Sequence, residues 1–432
     1  TKHWSRAVDV NRPLIEEALR LRQRAAELLG FPTWAHFAIE VKMAETPDAV
    51  AAFYDQIVPG LAAIRDRELA VLAERLHRDG HAGEVAAWDW AYYDEQLKRD
   101  EFGVDANLVA EYLPMAACLE GMFALTGEVL GLEYRRIPDP KVWHPSVELY
   151  EIRDRASGAV IAEFYADWFP REGKFGHAAA FPLVIGHRNP DGSYERPVSA
   201  ILANFTPPSG DRPSLIQHNE LETMFHEFGH ILHMSLTKAE NVRVSGGETE
   251  IDFVEAPSQI MEHWTYAPEV ISRFARHYET REPMPAELLE QLVAARYVDI
   301  GIKTMFQVFY GQIDLGIHDG QGEQDLDAAL RRAYVHTGMP YPDGTFLLSG
   351  FGHPMGGYDA GYYGYLWSEV IGDDLFSRFE REGVTSPAVG ADYRREILEK
   401  NGSRPAAELV HNFLGRDFTP DAWFHLRNMD QT

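Results

Sequence analysis

Five residues in one short stretch, His226-Glu227-Phe228-Gly229-His230, have the types and spacing that hydrolytic metal chemistry needs. On a helix, His226 and His230 stand one turn apart on a common face, where two imidazole nitrogens can take one tetrahedral ion. Glu227 lies about 100° further round. From there its carboxylate can accept a proton from a water beside the ion without ligating the ion itself. Two histidines do not complete such a site. A catalytic ion of this kind takes three protein ligands and keeps one position open.

Spacing leaves the third ligand undecided. Position 236 is Leu, so no third histidine follows ten residues after the first. His233 follows His230 by three residues, but three successive helical turns rarely converge on one ion, so it reads as a packing or supporting group. The remaining candidates are the downstream glutamates Glu240, Glu248, Glu250, Glu255 and Glu262. Spacing alone does not choose between Glu250 and Glu255. Ligating histidines donate their second ring N–H to an acceptor, and Glu222, Asp252 and Glu262 are the candidates for that support.

The elements that must position these groups follow from periodicity. Asn219 as a cap, with Glu222 three residues on, predicts the start of the helix. Leu221, Phe225, Phe228 and Leu232 form its buried stripe. Upstream, helical patterns fill 11–30, where Leu14, Ala18, Leu21, Ala25 and Leu28 recur at helical spacing, and then 47–79 and 105–131, with Pro13 suiting a first turn and Gly30 a stop. The period then changes. Apolar runs at 147–152, 159–165, 181–185 and 198–205, separated by the turn signals 155–158 and 189–192, predict a small sheet over about 146–206. Ala200–Phe205 is the candidate edge strand for pairing with an extended peptide. Helical patterns resume from 214, broken by Gly-rich loops near 246 and 350–361. In the second loop Tyr358, Tyr362 and Tyr365 fall at i, i+4 and i+7, which also suits a buried face. The expected fold is mainly α with a small β-sheet insertion. Residues 1–145 form a helical region and 146–432 the catalytic region, with a weak boundary between them.

Composition narrows the partners. The 432 residues carry 40 basic and 67 acidic side chains, a net charge of −27, which argues against nucleic acid or an anionic membrane. No apolar run approaches the ~18 residues of a membrane span, and the polar opening Thr1-Lys2-His3 shows no secretory signal. The single cysteine, Cys118, sits among apolar residues and cannot form an intramolecular disulfide, which suits the cytoplasm.

Larger blocks carry a resemblance. Phe225–His233, then Asp252-Phe253-Val254-Glu255-Ala256-Pro257-Ser258-Gln259, then the run from Phe351 to Glu369 with its glycines and tyrosines, resemble the M3 family of zinc metallopeptidases, the thimet oligopeptidase and oligopeptidase A group. Weaker similarity extends over 11–13, 28–31, 170–179 and 413–417. The resemblance implies a zincin-type (gluzincin) fold and one Zn²⁺ held by His226, His230 and Glu255, with Glu227 as general base. It implies Tyr365 as oxyanion donor, and Tyr358, Tyr362 and His353 as substrate contacts. Short peptides would be the substrates, cut internally, or by removal of C-terminal dipeptides as some relatives do. Family members also carry a further N-terminal helical portion that forms one wall of a substrate channel. That portion is the one expected protein partner of an otherwise monomeric chain, and without it the chain could be a peptide-binding fragment.

Overall fold

Helices and strands occupy the expected runs, and further helices at Trp34–Ile39 and Trp90–Phe102 and a strand at Leu132–Arg136 lie outside them. A computed structural model describes residues 3–320, 325–342, 344–427 and 429; Thr1 and Lys2, at the polar start, lie outside the described residues. Before the sheet come α1 (Val8–Leu29), α2 (Trp34–Ile39), α3 (Pro47–Arg78), α4 (Trp90–Phe102), α5 (Ala106–Glu111) and α6 (Met115–Leu130). The strands are β1 (Leu132–Arg136), β2 (Glu148–Asp154), β3 (Val160–Asp167), β4 (Ala179–Val184), β5 (His187–Arg188), β6 (Tyr194–Glu195) and β7 (Val198–Leu202). After them run α7 (His218–Ser235), α8 (Ala256–Glu262), α9 (Pro268–Phe274), α10 (Ala286–Ala294), α11 (Ile300–His318), α12 (Leu326–Thr337) and α13 (Gly364–Glu382), then shorter helices.

Two compact units divide the chain, and neither is contiguous. One holds residues 1–101, 297–367 and 424–432, and the other 102–296 and 368–423, a partition different from a single border at 145. In the first unit, α1 carries two apolar stripes. Ile15, Leu19 and Ala26 are buried, whereas Leu14, Leu21 and Leu28 of the predicted pattern are 62%, 53% and 71% exposed. The buried stripe wins because Ile15 and Leu19 join a core with Phe309, Ile313 and Ile317 of α11. The helix also starts earlier than Pro13 suggests, at Val8, while Gly30 ends it in the left-handed conformation, φ 88°.

The second unit contains the sheet, ordered β1-β2-β3-β7-β4. β1 lies upstream of the predicted sheet and pairs antiparallel with β2. β7 is not an edge strand: it runs parallel to β3 on one side and antiparallel to β4 on the other. The edge is β4, whose residues Phe181–Val184 are exposed and include Pro182. Proline cannot donate to a ladder, so an outer strand suits it. The link between β3 and β4 is tied down at buried Asp167, which accepts from Arg171 through both oxygens at 2.7 Å and from Trp143 at 2.9 Å. Phe228 of α7 packs into the aromatic layer over the sheet, 5.6 Å from Phe164 and 5.7 Å from Phe123 between ring centres. No helix among the described residues is long and apolar enough to cross a membrane.

Candidate metal centre

The cap of helix α7 lies two residues before the predicted one. Gln217 is the N-cap, and its backbone N–H donates to the Glu220 carboxylate at 2.8 Å. Asn219 lies inside the first turn instead. Leu221, Phe225, Phe228 and Leu232 are all buried, as the stripe requires. His226 and His230 fall about 150° round from that stripe, so the packing that buries the phenylalanines turns the imidazoles away from the sheet.

Glu255 immediately precedes α8 and points its carboxylate at both imidazoles. Its Oε2 stands 3.4 Å from His226 Nε2 and 3.1 Å from His230 Nε2. Among the described residues this is the one group of three or more potential ligands that converges, with the three donor atoms within 4.8 Å of one another. Tetrahedral ligands bound at ~2.0–2.1 Å stand ~3.3–3.4 Å apart, so these separations fit one ion. The rival glutamates are occupied elsewhere. Glu250 accepts from the Ala406 N–H and the Thr249 hydroxyl, both at 2.9 Å. Glu240 pairs loosely with Arg188 at 3.8 Å. Glu248 is exposed and outside the cluster.

Behind the ligands stands a set of braces. Glu262 accepts from His226 Nδ1 at 2.7 Å, which leaves Nε2 for the cluster. Ser258, fully buried, donates to the Glu255 carboxylate at 3.1 Å and to its backbone carbonyl at 2.7 Å. Gly229 lets the backbones of α7 and α8 meet. A Cβ there would lie 2.4 Å from the Pro257 carbonyl oxygen and 2.5 Å from Ser258 Cα. The other two expected braces have contacts of their own. Glu222 bonds the Tyr266 hydroxyl. Asp252 is buried, and its carbonyl accepts from Ser368 at 2.7 Å. His233 is buried, neither of its ring nitrogens has a hydrogen-bond partner among the described residues, and it lies outside the converging group.

Imidazoles and carboxylates share charge across the centre. Burial would depress the His226 imidazole, yet the carboxylates of Glu255 and Glu262 overcome it and hold it well above the ordinary range. Burial would likewise raise the Glu255 carboxyl, but His230 and His226 outweigh it and hold it well below. Glu227 is 8% exposed, and burial raises its carboxyl above the usual value, partly offset by the two histidines. A carboxylate kept out of water beside a cationic centre is suited to taking and returning a proton.

In the unit that holds α11, the loop residues expected to bind substrate form one aromatic cluster. His353 lies 5.8 Å from Tyr358, 5.0 Å from Tyr362 and 5.8 Å from Tyr365 between ring centres. Tyr358 and Tyr365 stack at 5.0 Å with planes 9° apart. The Tyr362 hydroxyl donates to Gln307 Oε1 at 3.0 Å. Of the braces, Glu262 was among the sequence candidates, whereas Ser258 and Gly229 carry no signal beyond lying inside the two blocks that hold His226 and Glu255.

Known proteins resemble the chain across its length. It is 34% identical over 427 residues to the thimet-like oligopeptidase of Dictyostelium discoideum, covering 95% of this chain and 63% of that protein. It is 35% identical over 418 residues to oligopeptidase A of Salmonella typhimurium, covering 95% and 61%. To the dipeptidyl carboxypeptidase of Escherichia coli it is 33% identical over 424 residues, covering 96% and 62%. The chain thus spans about three fifths of the length of these curated relatives. Among solved structures, a Pyrococcus furiosus carboxypeptidase has a TM-score of 0.57 at 12% identity, covering 98% of this chain and 74% of that one, a likeness of fold alone. The fold is accordingly mainly helical with a small sheet, shared in outline with that carboxypeptidase. Residues 1–429 match the model of peptidase family M3, and the chain belongs to that family.

Proposed function

We propose that the chain is the catalytic part of a zinc metallopeptidase that hydrolyses short peptides at internal bonds. The observation that carries this reading is the convergence of His226, His230 and Glu255, with buried Glu227 beside them. Two imidazoles and one carboxylate suit zinc among the common divalent ions. A bound zinc ion would supply Lewis acidity, making water a usable nucleophile near neutral pH and polarising the scissile carbonyl. The chain's own residues do the rest. Glu227 accepts the proton of the attacking water and later delivers it to the leaving amine. Glu262 and Ser258 hold the ligating side chains in orientation. The phenol of Tyr365 is assigned the donation of a hydrogen bond to the developing oxyanion. Tyr358, Tyr362 and His353 are assigned to substrate contact. These roles rest on the family resemblance and on the four rings forming one cluster. The exposed edge of β4, in place of β7, is the strand to which an extended peptide would add. The same reading gives a cytoplasmic enzyme, a compartment that suits a chain whose single cysteine has no partner for an intramolecular disulfide.

Glu227→Gln tests this reading, because it removes the base and leaves the ligands. Peptide hydrolysis should fall by about 10²–10⁴-fold with zinc content unchanged. Full activity in that variant would refute the assignment. The relative named as a dipeptidyl carboxypeptidase favours a second mode, release of C-terminal dipeptides. Mass analysis of products from a decapeptide separates the two: a ladder in steps of two residues from the C-terminus marks the second mode, and internal fragments the first. Tight peptide binding with no hydrolysis by the zinc-replete protein would instead mark a binding fragment.

A further inference from the structure

Asp314 on α11 is 1% exposed and has no role in the metal centre or in substrate contact as described. Its carboxylate faces three consecutive backbone N–H groups of the tyrosine loop. Oδ1 accepts from Ala360 at 3.1 Å, and Oδ2 from Gly361 at 2.8 Å and Tyr362 at 2.9 Å. Ala360 has φ 50°, the left-handed conformation that a non-glycine residue rarely adopts. Successive N–H groups turned inward by such a residue make an anion-binding concavity. Here the anion comes from the protein itself.

His318 supports the same residue from its own helix. Its Nδ1 donates to the Asp314 backbone carbonyl at 2.8 Å and stands 3.1 Å from Oδ1. Its Nε2 lies 2.9 Å from Arg22 Nη1. A guanidinium can only donate, so Nε2 must accept and the proton sits on Nδ1. Arg22 in turn approaches Asp359 Oδ1 at 3.5 Å, and the Trp34 indole donates to Asp359 Oδ2 at 2.6 Å. The chain Asp359–Arg22–His318–Asp314 therefore closes on the loop from both sides of Ala360.

We propose that Asp314 is the positioning residue of the tyrosine cluster: by filling the concavity at 360–362 it sets the backbone from which Tyr358, Tyr362 and Tyr365 project. The proposal rests on the reading that these tyrosines act on the substrate. It also confines any closing motion of the loop to the glycines before Tyr358, since the segment after it is tied to α11.

Asp314→Asn keeps the shape but offers one acceptor oxygen, and sets an amide donor against the N–H groups. The experiment is a double-mutant cycle with Tyr365→Phe on the zinc-loaded protein, reading kcat and KM separately. Unfolding and zinc content serve as controls, and amide exchange is followed at Gly361 and Tyr362. Expected is a fall in kcat of about tenfold to a hundredfold for Asp314→Asn, with KM less affected and both amides exchanging faster. In the Tyr365→Phe background the same change should cost less than about threefold, because it acts through that phenol. Full additivity, or unchanged amide exchange, overturns the inference. If Tyr365→Phe itself is silent, the reading of the tyrosines fails, and amide exchange alone decides whether Asp314 holds the loop. Should Asp314→Asn not fold, Arg22→Met loosens the chain from its less deeply buried end. It is expected to give the same non-additivity at smaller size, and additivity there overturns the inference equally.

Discussion

Replacing Gly229 by Ala separates two forces that pull in opposite directions. Inside a helix, Ala is favoured over Gly by ~0.8–1.0 kcal/mol. On that ground alone the variant would be more stable. At this position, however, the new methyl would lie 2.4 Å from a carbonyl oxygen and 2.5 Å from a Cα, both backbone atoms that no rotamer change can move. Ordinary contact begins near 3.4 Å, so α7 and α8 must part by about 1 Å. Overpacking of this kind costs ~1–3 kcal/mol, and with rigid atoms on both sides the upper half of that range applies. The net expectation is a loss of ~1–2 kcal/mol. The same movement separates ligands on the two sides of the contact, now 3.1 and 3.4 Å apart. Zinc affinity should therefore fall by at least about tenfold, the effect usually seen on disturbing an outer brace. Chelator competition reads the affinity, and denaturant unfolding with and without zinc reads the stability. Gly316→Ala is the control, since a Cβ on that helical glycine of α11 meets nothing within 4 Å. It should stabilise by ~0.4–1 kcal/mol. If Gly229→Ala bound zinc as the wild type does and gained stability like the control, the close crossing would not be what sets the ligand geometry.

Further outcomes follow from the same contacts. Ser258→Ala removes the hydroxyl that donates to Glu255 and should weaken zinc binding by about 10–100-fold while leaving the metal-free fold nearly unchanged; equal affinity would remove Ser258 from the brace. Burial pushes the His233 imidazole down to about 3 and the His218 imidazole down to about 4. Below the ordinary value near 6.5 the unfolded chain takes up protons that the folded chain refuses, so stability falls with acidification by ~1.4 kcal/mol per pH unit for each histidine, down to the depressed value. His233→Leu should flatten that slope by one histidine between about pH 6 and pH 4. Denaturant titrations across that range check it, and an unchanged slope would contradict a neutral buried ring.

Long, strongly periodic elements were legible because their burial pattern is written locally. The stripe Leu221, Phe225, Phe228 and Leu232 is buried as read. What failed was information held between distant segments. Ala200–Phe205 reads as a strand from its own residues, but nothing local says that β3 and β4 flank β7 and leave β4 outside. On α1 the larger leucines suggested the wrong face, because the choice between two apolar stripes is made by α11, nearly three hundred residues away. The cap moved from Asn219 to Gln217 for a smaller reason. Glu220 reaches back to the Gln217 N–H, and that pairing outweighs the better intrinsic cap two residues on.

The candidate centre shows the same division within a single motif. His226, Glu227 and His230 are set by chemistry, so their types and spacing announce them. Phe228 and Gly229, between them, are free as far as the metal is concerned, and packing decides both. Phe228 points into the aromatic layer over the sheet, between Phe123 and Phe164. Gly229 faces the backbone of α8, where even a methyl does not fit. Three faces of one helix thus meet three different demands: the sheet anchors it, α8 approaches it, and the ligands project from what remains. Glu255 immediately precedes α8 and Ser258 lies on it, so the glycine that looks like a weak point in a helix is what brings the candidate third ligand within 3.1 Å of His230. A reading limited to groups that touch the ion would assign the motif's middle residues no work, whereas the geometry makes the ligand set depend on them.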